Sequence, residues 1–121
     1  MVLKLMQQEF SLCRVASISE VDFSDEFCFL GKTDEEISLV CSPGRVPATA
    51  IARDDGWQAF RIEAVLDLSL IGILSGISRI LADAQIGIFA LSTFNTDYIL
   101  VRKENCKKAI SALNSAGHDV V

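Results

Sequence analysis

The chain has 121 residues, half of them apolar and 22% charged, which is enough for one ordinary domain or two very small domains packed together. Its 11 basic and 16 acidic residues give a formal net charge of -5, and its basic cluster, residues 102–108, is interrupted by Glu104. This composition argues against disorder and against a long basic surface, so we expect a folded protein that binds no nucleic acid.

The N-terminal sequence MVLKLMQQEF contains no sustained apolar segment and no small-residue cleavage site, so it predicts no signal peptide. The longest stretch without a charged residue, residues 84–96, has 13 residues, whereas a membrane-spanning helix needs about 20 apolar ones. We therefore expect a cytoplasmic protein without a membrane partner.

The N-terminal half predicts a strand at residues 9–16 and a hairpin at residues 27–42. Between them, residues 17–26 are too few and too polar for a full helix, and residues 46–52 are expected to form one or two helical turns. This half is therefore predicted to be a degenerate version of the better-defined C-terminal half.

The four cysteines are Cys13, Cys28, Cys41 and Cys106. They include no CxxC pair, and the single histidine, His118, is distant from them in sequence, so we expect neither a metal site nor a cofactor. If the hairpin turns at Asp34 and Glu35, Cys28 and Cys41 face each other across the strands. A disulfide is then possible in an oxidising compartment, but two reduced buried thiols are the expectation for a cytosolic chain.

The C-terminal half begins with an alternating strand at residues 57–66, which is either shared between the two halves or split between them. Asp67 and Ser69 are candidate N-caps of an amphipathic helix of about four turns that starts near Leu70. Gly87 is expected to end this helix. Its apolar residues recur at helical spacing and are Leu70, Ile73, Leu74, Ile77, Leu81 and Ala84.

Two further strands, residues 86–91 and 98–103, are predicted to form a hairpin around the polar tip STFNTD. A second helix is expected at about residues 104–116, ended by Gly117, and residues 118–121 are left for a short last strand. The order β-α-β-β-α-β predicts an α+β, ferredoxin-like fold with an antiparallel sheet and both helices on one face.

Residues 61–118 resemble an ACT domain, specifically the tandem-ACT group that is similar to cytosolic arginine sensors. The resemblance lies in DLSLIGIL at the first strand-helix junction, in the hairpin IGIFALSTFNTDYILV, and in the closing helix that ends in AGH. It implies two ACT-like units in tandem, a degenerate unit at residues 1–60 and an ACT domain at residues 61–121.

ACT domains are regulatory modules that bind small ligands, usually amino acids, and pack edge to edge. The resemblance therefore implies an amino-acid ligand at an interface between units, a homodimer, and a separate regulated protein whose identity the sequence does not reveal. The ligand-binding positions that it implies are Leu70, Ile71 and Gly72 in the first loop and Thr93, Phe94 and Asp97 in the hairpin. Ser92, Asn95 and Thr96 are secondary candidates.

The chemistry of these residues suits an α-amino acid. Backbone amides at the start of the first helix, with Gly72 allowing close approach, suit its carboxylate, and Asp97 with the Thr93 hydroxyl suits its ammonium group. Each feature also has a structural interpretation. Gly72 could permit close helix packing, the polar tip could only build the turn, and Phe94 could cover a ligand or fill a subunit interface.

Two function classes follow, a sensor that passes its ligand signal to a separate protein and a ligand-free dimerisation module. We expect no enzyme, because the sequence contains no P-loop, no GxGxxG and no base recognisable beside a nucleophile. The resemblance does not identify arginine as the ligand. That ligand would require a second acidic group, for which Glu63 and Asp67 are candidates.

Overall fold

The structure is a computed structural model that describes residues 1–63 and 72–121. The strands are β1 (Val2–Val15), β2 (Phe29–Lys32), β3 (Ile37–Cys41), β4 (Ala52–Ile62), β5 (Ile88–Ser92), β6 (Asp97–Arg102) and β7 (Asp119–Val120). The α-helices are α1 (Ile73–Asp83) and α2 (Cys106–Ser115), and the predicted α+β class is confirmed. Within these two ranges, no helix is both long enough and apolar enough to cross a membrane.

The chain divides into two compact units. The C-terminal unit comprises residues 1–7 and 58–121, and the N-terminal unit comprises residues 8–57. The long strands β1 and β4 each contribute residues to both units, so the predicted strand at residues 57–66 is the end of a single strand, β4, as far as Ile62. The division into ACT-like units at residues 1–60 and 61–121 stays a prediction.

The sheet of the C-terminal unit has the strand order β7-β1-β4-β6-β5. β5 and β6 are antiparallel, as predicted for the hairpin, and the predicted last strand is the short β7. β7 pairs in parallel with the start of β1, where Val2 lies opposite Asp119 and Leu3 lies opposite Val120. The first residues of the chain thus form a strand that the sequence did not predict.

The core of the C-terminal unit lies between the sheet and both helices. Phe60 and Ile62 of β4 alternate in sequence, as do Ile99 and Val101 of β6, so each pair points to one face of the sheet. All four are buried in one cluster with the helix residues, which confirms that the helices cover one face. The buried helix residues of this cluster are Ile77, Leu81, Cys106, Ala109 and Leu113.

Helix α1 begins later than predicted. Gly72 occupies the N-cap position with φ of 88°, a left-handed conformation that cannot continue a helix, and it receives no side-chain cap. The helix therefore has 11 residues, about three turns, and begins at Ile73, after the position near Leu70 that was predicted for its start. Leu70, Ile71 and the predicted caps Asp67 and Ser69 lie outside the described residues.

The end of α1 also differs from its prediction, because the left-handed residue is Gln85, with φ of 61°, and not Gly87. The Gln85 amide donates to the Ala82 carbonyl and the Ile86 amide to the Leu81 carbonyl, each over 2.9 Å. These bonds define a Schellman motif. Ile86 and Leu81 are both buried in the core cluster, so apolar burial after the helix end holds Gln85 in this conformation.

Helix α2 ends in the same motif, but with the glycine that the sequence predicted. Gly117 has φ of 93°, and its amide donates to the Asn114 carbonyl over 3.0 Å. The His118 amide donates to the Leu113 carbonyl, also over 3.0 Å. The two helices of the C-terminal unit therefore have equivalent ends that differ in the residue at the left-handed position.

The N-terminal unit pairs β2 with β3 and β3 with β1, both antiparallel. Lys32 lies opposite Ile37, which confirms the predicted turn at Asp34 and Glu35. In place of a helix, the segment after β1 forms one short 3-10 turn, residues Ile18–Glu20, with a Ser17 and Glu20 capping box. Five buried residues of this unit pack together in one cluster, Cys13, Val15, Val21, Leu39 and Cys41.

All four thiols are free, so no disulfide joins Cys28 to Cys41. Cys13 and Cys41 are buried, and Cys28 packs against the same cluster. Burial, together with the neighbouring Cys13, raises the pKa of the Cys41 thiol to about 12. This thiol is therefore protonated at neutral pH and unreactive as a nucleophile.

Candidate functional site

The tip of the β5-β6 hairpin is built by two threonines. The Thr93 amide donates to the Thr96 carbonyl over 2.9 Å, which leaves only Phe94 and Asn95 at the end of the turn. The Thr93 hydroxyl donates to the same carbonyl over 3.0 Å and accepts a longer bond, 3.4 Å, from the Thr96 amide. Part of the polar tip therefore serves the turn itself.

The side chain of Thr96 connects this tip to the end of β4. Its hydroxyl donates to the carbonyl oxygen of Ile62 over 2.9 Å, and the residue is only 8% exposed. A buried hydroxyl needs such a partner, because burial without a hydrogen bond is costly. This bond holds the tip beside the last residues of β4.

A cavity of about 410 Å³ lies where the tip meets β4. This volume is at the lower end of the range for small-molecule sites. The described residues that line it are Arg61, Ile62, Glu63, Thr93, Asn95, Thr96 and Tyr98. The lining thus combines one strand end with the hairpin tip, and its only charged members among the described residues are Arg61 and Glu63.

Arg61 lies in β4 and Glu63 directly follows the last residue of that strand, the buried Ile62, and both residues line the cavity. The Arg61 Nη2 atom lies 3.3 Å from Glu63 Oε1, and the two side chains are 26% and 34% exposed. Hydrogen bonds to Glu63 and, secondarily, to Tyr98 raise the pKa of the Arg61 guanidinium above its already high value. A permanent positive charge therefore lies beside a carboxylate in the cavity wall.

The structure places the predicted hairpin residues in three different surroundings. Thr93 lines the cavity, whereas Phe94 projects from the tip and is 87% exposed. Asp97 is opposite Ser92 in the hairpin and accepts a hydrogen bond of 2.6 Å from the Ser92 hydroxyl. Neither Phe94 nor Asp97 belongs to the cavity lining that the structure describes.

In the first loop, only Gly72 can be placed, since Leu70 and Ile71 lie outside the described residues. Gly72 is exposed, and it does not line the described part of the cavity. A Cβ atom at this position would meet nothing within 4 Å. The need for glycine here therefore comes from the backbone conformation and not from close helix packing.

Arg61 and Tyr98 were not among the predicted site residues, and Glu63 was considered only as a partner for a guanidinium. A local signal for Arg61 and Glu63 was present in the sequence RIE, where two opposite charges flank an apolar residue at a strand end. No local signal showed that Thr96 lies beside Ile62, because the two residues are 34 positions apart.

The hairpin of the N-terminal unit has a tip of the same construction. The Thr33 amide donates to the Glu36 carbonyl over 2.9 Å, and the Glu36 amide donates to the Thr33 hydroxyl over 3.2 Å. Thr33 thus corresponds to Thr93, and Glu36 corresponds to Thr96. A cavity of about 370 Å³ adjoins this tip and is lined by Arg14, Val15, Ala16, Ile51 and residues 33–37.

Neither hairpin contains an evident metal centre. Across residues 1–63 and 72–121, no three side chains of His, Cys, Asp or Glu are grouped so that they could hold a metal ion. The described residues that line the cavity of the C-terminal unit supply one guanidinium, one carboxylate and neutral hydrogen-bonding groups.

A family model for the ACT domain matches residues 52–115, more than half of the chain. The solved structure of protein Atu0741 from Agobacterium tumefaciens is 30% identical, with a TM-score of 0.87 over 99% of this chain and 91% of that one. No curated protein matches the chain.

Two more distant structures share the fold. One is VC0802 from Vibrio cholerae, described as a protein of unknown function and possible transport protein, at 19% identity and a TM-score of 0.69, covering 92% of this chain and 85% of that one. The other is the ligand-free regulatory subunit of aspartate kinase from Thermus thermophilus, at 9% identity and a TM-score of 0.62, covering 95% and 97%. With its ferredoxin-like fold and the family match over more than half of its length, the chain belongs to the ACT domain family.

Proposed function

We propose that this chain is a regulatory protein that binds an amino acid in the cavity between the β5-β6 tip and the end of β4. The proposal rests on one observation. A charged pair, Arg61 and Glu63, lines the same cavity as a hydrogen-bonding hairpin tip, and Thr96 holds this tip in place. Membership of the ACT family supports a regulatory, ligand-binding role. We propose no catalytic activity.

A ligand can regulate only if it binds one state of the protein more tightly than another. A molecule in this cavity contacts both the tip and the strand end, which are otherwise linked by the bond from Thr96 to Ile62. Binding therefore favours the state in which the tip is held against β4. A separate protein that distinguishes this state from one in which the tip is released from β4 would receive the signal.

Several narrower statements stay predictions. These are the membership in a tandem group similar to arginine sensors, the homodimer, the cytoplasmic location and a ligand position at an interface between ACT units. The predicted contacts through Leu70, Ile71, Gly72, Phe94 and Asp97 also stay predictions.

The alternative function is a dimerisation module without a ligand. β5 lies at one end of the strand order, and an unpaired strand edge can pair with another chain. Such a module would assemble through this edge whether or not an amino acid is present. The two functions therefore differ in their response to small molecules and not in their capacity to form dimers.

A thermal-shift screen of the twenty amino acids against the full chain tests the proposal. Asn95→Ala removes a polar side chain from the cavity, and Glu35→Ala changes the corresponding position of the other tip. We expect one group of amino acids to raise the melting temperature of the wild type and of Glu35→Ala, and to raise that of Asn95→Ala much less. At a ligand concentration of about 100 times Kd, the expected stabilisation is about 2.7 kcal/mol.

If no amino acid shifts the wild-type melting temperature, the proposed sensor role is wrong. If the chain is also a dimer in gel filtration under those conditions, the assembly module is the better description.

A further inference from the structure

We infer that Arg61 and Glu63 bind the α-carboxylate and the α-ammonium group of the ligand, and that the ligand is an amino acid with a small, uncharged, polar side chain. This inference rests on the proposed function and assigns its site a receptor pair and a ligand class. It departs from the contacts predicted from the sequence, in which helix amides and Asp97 had these roles.

The first reason is the geometry of the pair. Both residues line the same cavity, and each side chain is about one-third exposed or less, so they are neither buried in the core nor free in solvent. The contact of 3.3 Å from Arg61 Nη2 to Glu63 Oε1 is longer than a strong charge-assisted bond. It occupies one of the five N–H donors of the guanidinium, which also bonds to Tyr98.

The second reason is the gain in paired charges on binding. Without a ligand, each of the two residues has only the other as an opposite charge among the described lining residues, and the guanidinium also bonds to Tyr98. An α-amino acid carries both a carboxylate and an ammonium group on one carbon, so it can bring one opposite charge to each residue. One long ion pair is then replaced by two ion pairs, in a partly buried place where such contacts are stronger than in water.

The third reason concerns the ligand side chain. Once the two charged residues bind the ligand backbone, no charged group remains in the described part of the lining. Asn95 and Tyr98 can form hydrogen bonds, and the cavity volume of about 410 Å³ suits a small ligand. Among the described lining residues an ionised side chain would find no opposite charge, whereas a hydroxyl or an amide would find a hydrogen-bond partner.

The cavity of the N-terminal unit provides an internal comparison. Arg14 precedes Val15 as Arg61 precedes Ile62, and Arg14 also lines a cavity beside a threonine-built tip. The next lining residue, however, is Ala16, where the C-terminal unit has Glu63. The pair of opposite charges on one strand end is therefore a property of the C-terminal cavity, and Arg14→Gln is a matched control for Arg61→Gln.

Calorimetric titrations of the full chain test this inference by combining modified ligands with protein variants. The probes are the best-binding neutral amino acid, its C-terminal amide, which lacks the carboxylate, and its N-acetyl derivative, which lacks the ammonium group. Each is titrated into the wild type and into the variants Arg61→Gln, Glu63→Gln and Arg14→Gln. The folded state of every variant is checked by its thermal unfolding curve.

We expect the amide to bind the wild type at least about tenfold more weakly than the amino acid, which is the loss of one charge-assisted contact. Against Arg61→Gln, the amino acid and its amide should bind equally weakly, because the partner of the carboxylate is gone. The N-acetyl derivative should behave in the same way with Glu63→Gln. Arg14→Gln should retain wild-type affinity for all three probes.

Suppose that the amide binds Arg61→Gln, and the N-acetyl derivative binds Glu63→Gln, more weakly than the amino acid by the same factor as in the wild type. The carboxylate and the ammonium group are then bound by other residues. That result would overturn the roles of Arg61 and Glu63 but not the proposal that the protein senses an amino acid. A preference for lysine, arginine, aspartate or glutamate would overturn the ligand class. If none of the twenty amino acids binds the wild type, the proposed function fails, and this inference fails with it.

Discussion

The Thr96 hydroxyl donates a hydrogen bond to the carbonyl oxygen of Ile62 over 2.9 Å, and this bond joins the hairpin tip to the end of β4. Thr96→Val has nearly the same shape but cannot donate, so it leaves a buried carbonyl without this partner. We expect a loss of about 1 to 3 kcal/mol in the free energy of unfolding, measured by urea denaturation, and a weaker affinity for the ligand.

Thr96→Ser is the control for this prediction, because it retains the hydroxyl and removes only a methyl group. It should retain most of the stability and of the ligand affinity. Equal losses in the two variants would mean that packing of the methyl group, and not the hydrogen bond, is what matters at this position.

Replacing Gly72 and Gly76 by alanine should change the free energy of unfolding in opposite directions. Gly72 has φ of 88°, where an alanine Cβ is strained, so Gly72→Ala should lower the free energy of unfolding by about 1 to 2 kcal/mol. Gly76 lies in the interior of α1, is exposed, and leaves space for a Cβ, so Gly76→Ala should raise that free energy by about 0.5 to 1 kcal/mol. Urea denaturation of both variants measures the two changes, and a gain from Gly72→Ala would contradict the assigned start of the helix.

Gln85 is the left-handed residue at the end of α1, so glycine there should relieve strain. We expect Gln85→Gly to raise the melting temperature, with a gain of about 0.5 to 1 kcal/mol. Gly117→Ala, at the equivalent position of α2, should cost a similar or larger amount. Gly87→Ala should change stability by less than about 0.5 kcal/mol. A large loss from Gly87→Ala would restore the original prediction that Gly87 ends α1.

The loop of the N-terminal unit should give stability a defined pH dependence through Asp22. Hydrogen bonds from the Ser24 hydroxyl and amide, and then from Arg45, lower the pKa of the Asp22 carboxyl from 3.8 to about 2. A lowered pKa means that the folded state favours the ionised form, so the contribution is complete above pH 3.8 and is lost as the pH falls towards 2. This carboxyl is exposed, so we expect a small effect.

The corresponding measurement compares the melting temperatures of the wild type and Asp22→Asn from pH 7 to pH 2. The wild type should melt higher at neutral pH, and the difference should shrink between about pH 4 and pH 2. Ser24→Ala removes the first of the stabilising donors and should give a smaller difference of the same shape. A difference that persists unchanged at pH 2 would show that the side-chain amide disturbs the loop for another reason.

Much of the fold was predictable because it follows from local periodicity. The alternating strands, the two amphipathic helices, the turn at Asp34 and Glu35 and the helix end at Gly117 each depend on residues that are close in sequence. The strand at the start of β1 was not predicted, because it is stabilised by β7 at the other end of the chain. Gln85 was missed because the buried contact between Leu81 and Ile86 overrides its conformational preference.

The candidate site was less predictable than the fold. Thr93 was a candidate through the ACT resemblance of its hairpin, but the residues beside it in the cavity come from the end of β4, about 30 positions earlier. Arg61 and Glu63 appear in the sequence only as two opposite charges on either side of an apolar residue at a strand end. Their proximity to a tip of hydroxyls and amides arises only when Thr96 contacts Ile62.

An NMR titration of the isotope-labelled full chain tests the hairpin cavity as the receptor most directly, because the backbone amide shifts can be followed as the best amino acid from the screen is added. We expect the largest shift changes at Glu63, Thr93 and Asn95, with the amides of the matched tip at Thr33 and Glu35 unaffected. Shift changes concentrated elsewhere, with the Thr93 and Asn95 amides unchanged at saturation, would contradict the claim that this hairpin cavity is the receptor.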